Sequence, residues 1–322
     1  MKKKIVTKDG KQVDEYKTFF KKFGIVLQKY IPSEFVSSFL SKGYCSTKGK
    51  STDIKDILEF ITKYHIDWKN TKKCKNINSM KECVRKYTTL NDFFIRKKPY
   101  INIYKKNKNN YFVSPADSRT LLFDSEKKSR FWIKGKYYTI SNMMQLQTNI
   151  LKKYYTNSYT IISRLAPVDY HRFHSPISGT LVYYKIIHGS YLSVDPSIVR
   201  SSKNVFAKNT RALYYISTKY YGVICMVIVG AFCVGSIIVH KKKRNSVIQK
   251  GDELGYFQFG GSTIVTIIPK LYTIEIDKAI QKHSSKKIET YVEVGDHLLY
   301  TKPKITHNKR IEKRIVQNYD VL

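Results

Sequence analysis

Apolar residues follow two different rhythms along this chain. Through the first hundred residues they recur at three- and four-residue spacing. Tyr16, Phe19, Phe20, Phe23, Leu27, Tyr30 and Ile31 make one stripe, with Lys17, Lys21, Lys22 and Lys29 between them. That spacing predicts a basic amphipathic helix. It ends at the Ile31-Pro32 step, because proline pushes the residue before it out of the helical region. A second helix is predicted from a Ser51 or Thr52 N-cap, with Ile54, Ile57, Leu58 and Ile61 as its stripe. From about Tyr111 the pattern changes to short β-branched and aromatic runs separated by Gly, Asn, Asp and Ser. These are Tyr159–Ile162, Thr180–Ile187, Ala212–Ser217, Val223–Val229, Val234–Val239, Thr263–Ile268 and Ile288–Val294. Their regular spacing predicts an α+β protein with a largely antiparallel, β-rich core, sandwich- or barrel-like, behind N-terminal amphipathic helices. The expected division is a helical, membrane-facing region over 1–97 and a β-rich domain over 98–322. The basic tail after Pro303 reads as mobile.

One stretch imitates a membrane span. Gly222 to Val239 is apolar and is followed by His240-Lys241-Lys242-Lys243-Arg244. Gly230 and Gly235 divide it into two runs of strand length, so it reads as two buried strands. Composition then narrows the partners. The 322 residues carry 59 Lys and Arg against 24 Asp and Glu, a net charge of +35. A polyanion is the implied partner, although a Lys-, Asn-, Ile- and Tyr-rich bias also raises the charge without selection for binding. No nucleic-acid-binding signature accompanies it, so an anionic membrane surface fits better than nucleic acid. The basic stripe from Tyr16 to Ile31 suits that surface and packing on the core equally; the stripe from Ile54 to Ile61 suits packing on the core. Cys45, Cys74, Cys83, Cys225 and Cys233 show neither metal spacing nor an even set for disulfides, which suits a reducing compartment. Cys225 and Cys233 lie in apolar runs and read as core residues. The N-terminus lacks the apolar segment of a secretory signal.

Candidate chemistry gathers in five motifs. Gly251 to Thr263 ends in Phe259-Gly260-Gly261-Ser262-Thr263, two glycines and a hydroxyl residue before an apolar strand. Upstream, in order, lie Leu90-Asn91-Asp92-Phe93-Phe94-Ile95-Arg96, Ser114-Pro115-Ala116-Asp117, Pro167 to Pro176 with Asp169-Tyr170-His171-Arg172-Phe173-His174, and Val229 to Ile237. Smaller echoes are Lys134 to Tyr138, Ser193 to Pro196, and Asn209-Thr210-Arg211. Alone, Asp117 reads as a turn carboxylate. His171 and His174 as a metal pair lack further ligands at suitable spacing, so no metal is expected.

Together and in this order, the motifs resemble the phosphatidylserine decarboxylases, over about Tyr87 to Pro269. The resemblance implies a β-rich catalytic fold and a precursor cut between Gly261 and Ser262 into chains 1–261 and 262–322. It implies that Ser262 Oγ attacks the Gly261 carbonyl and that elimination and hydrolysis leave a pyruvoyl group at 262. That covalent cofactor would form a Schiff base with phosphatidylserine and release carbon dioxide, leaving phosphatidylethanolamine. Carried over by motif, Asp117, His174 and Ser262 form the self-processing triad, with Asp117 orienting His174 as base. His171 is the candidate for binding substrate and returning a proton. Whether His171 and His174 face the same way is open, since a helix would align them and a strand would oppose them. Asp169 receives no catalytic role, and Phe93, Phe94 and Arg96 read as structural. Ser118 stands where the family has glycine, which would strain it if the position required positive φ. The expected location is peripheral on an endomembrane or cytoplasmic membrane face, with the mitochondrial inner membrane disfavoured and a homodimer open. The alternatives are a pyruvoyl decarboxylase of a soluble amino acid and a non-catalytic basic protein, binding membrane or nucleic acid, that keeps the fold.

Overall fold

The computed structural model describes residues 5–13, 53–99, 110–125, 130–133, 136–192, 199, 204–231, 237–240, 243–258, 262–271, 273–301 and 309–319. The basic stripe from Tyr16 to Ile31, together with Cys45, Cys233 and Gly261, lies outside them. The described chain opens with a hairpin, β1 (Ile5–Val6) and β2 (Gln12–Val13). Helices α1 (Ile54–Tyr64), α2 (Met80–Val84) and α3 (Leu90–Phe94) come next. Strands β3 (Tyr111–Val113), β4 (Ser118–Ser125), β5 (Arg130–Ile133) and β6 (Lys136–Thr139) precede helices α4 (Ile140–Met144) and α5 (Asn149–Thr156). Then follow β7 (Ser158–Leu165), β8 (Arg172–His174), β9 (Gly179–Ile187), the short helix α6 (Val205–Lys208), β10 (Arg211–Thr218) and β11 (Gly222–Val229). The last part holds β12 (Ile237–Val239), β13 (Val247–Ile248), β14 (Glu253–Phe257), β15 (Ser262–Pro269), β16 (Ile274–Ile276), α7 (Lys278–Ser285), β17 (Glu289–Val292), β18 (His297–Thr301) and α8 (Lys309–Tyr319).

Ten strands form one sheet in the order β13-β9-β10-β11-β15-β7-β4-β17-β1-β2. Its pairs are antiparallel apart from β1 with β17. Strands β10, β11 and β15 are buried along their whole length. Burial on both faces explains why they read as continuous apolar runs rather than alternating ones. The segment that imitates a membrane span supplies β11 and β12, and among the described residues no helix is long and apolar enough to cross a membrane. A three-stranded sheet, β12-β14-β8, carries the histidine motif and shares its core with the large sheet through Phe173, Tyr214, Leu254 and Phe257.

Helices α1 to α3 build a separate apolar cluster from Ile57, Phe60, Ile61, Tyr87, Phe93 and Phe94. Ile57 and Ile61 are buried in this cluster, not in the core under the large sheet where packing was expected. Four further expectations need correction. The N-cap of α1 is Asp53, whose Oδ1 accepts from the Lys55 N–H at 2.8 Å. Residues 5–13 join the sheet, where the buried Ile5 and Val6 pair with β17. The tail holds α8, which buries Ile311, Ile315 and Val316. Cys74 and Cys83 form a disulfide with their Cα atoms 5.3 Å apart, so the cysteines are not all thiols; the folded turn between α1 and α2 brings together a pair that spacing alone does not mark. Cys225 is a buried free thiol, its pKa pushed up by burial.

Candidate active site

Adjacent rows of the sheet bring two of the motifs together. Arg164 on β7 pairs with Thr263 on one side and with Arg119 on the other. Two strand spacings therefore separate Thr263 from Arg119, about 10 Å. Ser262 and Ser118 each precede those residues on strands that run the same way, so the candidate nucleophile and the end of the Pro-Ala-Asp turn lie at the same end of these central strands. Ser262 is 1 % exposed. Its Oγ has no hydrogen-bond partner among the described residues, an arrangement that costs stability in an ordinary core.

On the far side of Ser262, Val229 of β11 pairs with Thr263, which sets Gly230 beside the serine. Asn209 holds that glycine, donating from Nδ2 to the Gly230 carbonyl at 2.9 Å and to the Leu192 carbonyl at 2.8 Å. The Asn209-Thr210-Arg211 echo is thus a brace for the backbone next to Ser262.

The Pro-Ala-Asp turn is tied to the histidine strand by the His174 N–H, which donates to the Pro115 carbonyl at 2.9 Å. Ser118 opens β4 without positive φ. Its Oγ donates to the Ala116 carbonyl at 3.3 Å and lies 3.0 Å from Thr120 Oγ1, so serine replaces glycine here without backbone strain. Asp117 is buried, accepting from the Val294 N–H at 2.8 Å and from Lys98 Nζ at 2.9 Å (Oδ1) and 2.8 Å (Oδ2). Burial raises the Asp117 pKa above the ordinary carboxylate value, and Lys98 offsets part of that rise.

His174 is also buried. Its Nδ1 lies 2.9 Å from the Gly251 carbonyl and its Nε2 3.0 Å from the Tyr170 hydroxyl. A carbonyl only accepts, so Nδ1 carries the proton and Nε2 accepts from Tyr170. Burial lowers the His174 pKa, so the ring is neutral and Nε2 is its basic atom. No hydrogen bond joins Asp117 to His174 among the described residues; Lys98 stands on the Asp117 side and Tyr170 on the His174 side.

His171 ends the loop before β8. Its Nδ1 lies 2.8 Å from the Asp169 carbonyl, and its ring stacks on Phe94 at 3.9 Å between centroids. His171 precedes the extended strand β8, so the helical arrangement that would align it with His174 is absent. The Phe-Phe-x-Arg motif reaches further than a structural joint: Phe94 touches His171, while Arg96 Nη2 donates to the Val168 carbonyl at 2.8 Å. Ion pairs brace the loop, Asp169 with Arg119 fully buried, and Arg172 with the half-buried Glu253 at 2.6 Å.

Lys98 and Arg119 lie outside the motifs, while Tyr170, Glu253 and Gly251 lie within them with no role that local pattern assigns. Lys98 is one of 59 Lys and Arg residues, and nothing in its local pattern separates it from the others. Tyr170 lies inside the histidine motif, and its position beside His171 is the one local signal for it.

The family model described as phosphatidylserine decarboxylase matches residues 90–299. The chain is similar to phosphatidylserine decarboxylase proenzyme 2 of Komagataella phaffii, 41% identical over 67% of this chain and 22% of that protein. It is similar to phosphatidylserine decarboxylase proenzyme 2 of Saccharomyces cerevisiae, 38% identical over 71% of this chain and 20% of that protein. The chain thus spans about a fifth of the length of these two yeast relatives. The phosphatidylserine decarboxylase proenzyme of Fusobacterium nucleatum is 34% identical over 80% of this chain and 82% of its own length.

Proposed function

Since this chain belongs to the phosphatidylserine decarboxylase family, we propose that it cuts itself between Gly261 and Ser262 and then converts phosphatidylserine to phosphatidylethanolamine and carbon dioxide. The observation that carries this reading is the Ser262 hydroxyl, buried at the head of β15 with no partner among the described residues. A buried oxygen without a hydrogen bond fits a residue kept for chemistry rather than packing.

In the precursor, His174 Nε2, released from its hydrogen bond with the Tyr170 hydroxyl, takes the proton from Ser262 Oγ as that oxygen adds to the Gly261 carbonyl. The peptide nitrogen leaves and an ester forms between Gly261 and Ser262 Oγ. Loss of the Ser262 α-proton with cleavage of the Cβ–Oγ bond frees the carboxylate of Gly261 and leaves a dehydroalanine at 262. Water then replaces its nitrogen, which departs as ammonia, and a pyruvoyl group caps the 262–322 chain. The Gly251 carbonyl fixes the His174 tautomer, and the Asp117 charge stabilises the imidazolium once His174 is protonated.

When formed, the pyruvoyl group supplies an electron-withdrawing carbonyl able to bond a substrate amine. His171, its Nδ1–H held by the Asp169 carbonyl, presents Nε2 as the atom that exchanges a proton with substrate. Stacking against Phe94 keeps that ring in place. The surface served is an anionic membrane, supported by the net charge of +35.

Intact mass and a denaturing gel of the expressed chain test the reading, with vesicle assays for turnover. Wild type is expected as two chains. Ser262→Ala and His174→Ala are expected to stay whole, and cleavage persisting in either removes that residue from the mechanism. His171→Ala is expected to cleave but lose about a hundredfold or more in turnover on phosphatidylserine vesicles. Activity confined to a soluble amino acid overturns the lipid substrate.

A further inference from the structure

The carboxylate and the imidazole of the proposed triad are each held by another residue. Lys98 Nζ contacts both oxygens of Asp117, at 2.9 and 2.8 Å, and Glu293 at 3.3 Å. Its ammonium also sits 5.7 Å from the centre of the Tyr170 ring, whose hydroxyl donates to His174 Nε2. The Lys98 side chain is 11 % exposed and that of Asp117 7 %. A pair this secluded trades favourable charge for lost hydration and stands as weak evidence for a purely stabilising role. We infer that Lys98 is a positioning residue for self-cleavage, keeping the buried Asp117 carboxylate ionised and setting its charge beside the Tyr170–His174 pair. This inference rests on the self-processing function proposed above.

Without a cation in contact, a secluded carboxylate takes up a proton, and a neutral carboxylic acid does not stabilise the imidazolium that His174 becomes. The other charged and titratable groups facing Asp117 do not replace Lys98. Arg96 donates to the Val168 and Asp169 carbonyls. Asp169 and Glu293 carry the same sign as Asp117, and the pKa values of Tyr170 and Tyr291 are pushed upward by burial, so both phenols are neutral. Around His174, Glu253 and Arg172 form an ion pair with each other, and the Lys98 charge works with burial to keep the ring neutral. Lys98 itself stays charged: burial works against its charge, and Asp117 and Glu293 more than offset that, raising its pKa.

The sign of the pH effect follows. Burial already raises the Asp117 pKa, and removing Lys98 raises it further. The ionised form then exists only at higher pH, so the rising limb of the cleavage rate moves in the alkaline direction. The test follows chain cleavage by gel and mass across pH in the full chain. Lys98→Met is expected to cleave about tenfold or more slowly at neutral pH and to recover as pH rises. Lys98→Arg is expected to restore most of the rate and the wild-type profile. Lys98→Met with the wild-type rate, or with a rate lowered equally at every pH, overturns the inference. Should Lys98→Met misfold, the double variant Lys98→Met, Asp117→Asn removes the uncompensated charge. It is expected to cleave no more slowly than Asp117→Asn alone, and a further loss means that Lys98 acts elsewhere. A wild-type chain that never cleaves sinks the self-processing reading, and Lys98 with it; wild-type cleavage with an unshifted Lys98→Met profile sinks Lys98 alone.

Discussion

The basicity of His174 depends on a backbone oxygen. Gly251 carries that oxygen at φ +90°, a conformation open to glycine and costly for other residues. Its neighbour Lys250 is buried, and its own N–H donates to the Ser175 carbonyl at 2.8 Å. The carbonyl facing His174 Nδ1 is thus aimed by a left-handed turn anchored at both ends. Replacing Gly251 by alanine is expected to cost about 1–2 kcal/mol in folding and to slow cleavage more than turnover of already processed protein. Thermal unfolding and a cleavage time course separate the two effects. A variant destabilised to that degree with an unchanged cleavage rate removes the Gly251 carbonyl from the mechanism.

At the level of elements, the histidine strand owes its place to a close approach. Gly255 on β14 lies between β8 and β12, and a Cβ built there would come within 2.1 Å of the Ile238 carbonyl oxygen and 2.6 Å of Phe173 Cζ. Backbone on one side and a buried ring on the other leave no room to give. Gly255→Ala is expected to force β14 away from its neighbours at about 1–3 kcal/mol and to loosen His174 together with Arg172. A melting temperature within error of wild type shows that the three strands tolerate the methyl group. The same elements mark where sequence is a good guide and where it is not. Strands β9, β10, β11 and β15 were legible from β-branched runs, and their observed ends fall within a residue of those predicted. The hairpin of residues 5–13 was not, since strands of two residues carry no periodicity and are fixed by a distant partner, β17.

At the scale of the whole molecule, a charge of +35 acts over roughly 8 Å at physiological salt. Binding to vesicles rich in anionic lipid is therefore expected to weaken by about tenfold or more between low and high salt, with little binding to neutral vesicles. Vesicle flotation across a salt series measures this, and salt-independent binding refutes a charge-driven attachment. The sequence by itself determined the family and the β-rich core and marked Ser262, His174, His171 and Asp117 as candidates, because these rest on ordered local motifs and on residue chemistry. Tertiary structure decided what those residues touch. Lys98 against Asp117, Gly251 against His174, and Phe94 against His171 join segments apart in the chain. Contacts of that kind depend on strand register and on which side chains share a buried space, and neither is written in local spacing.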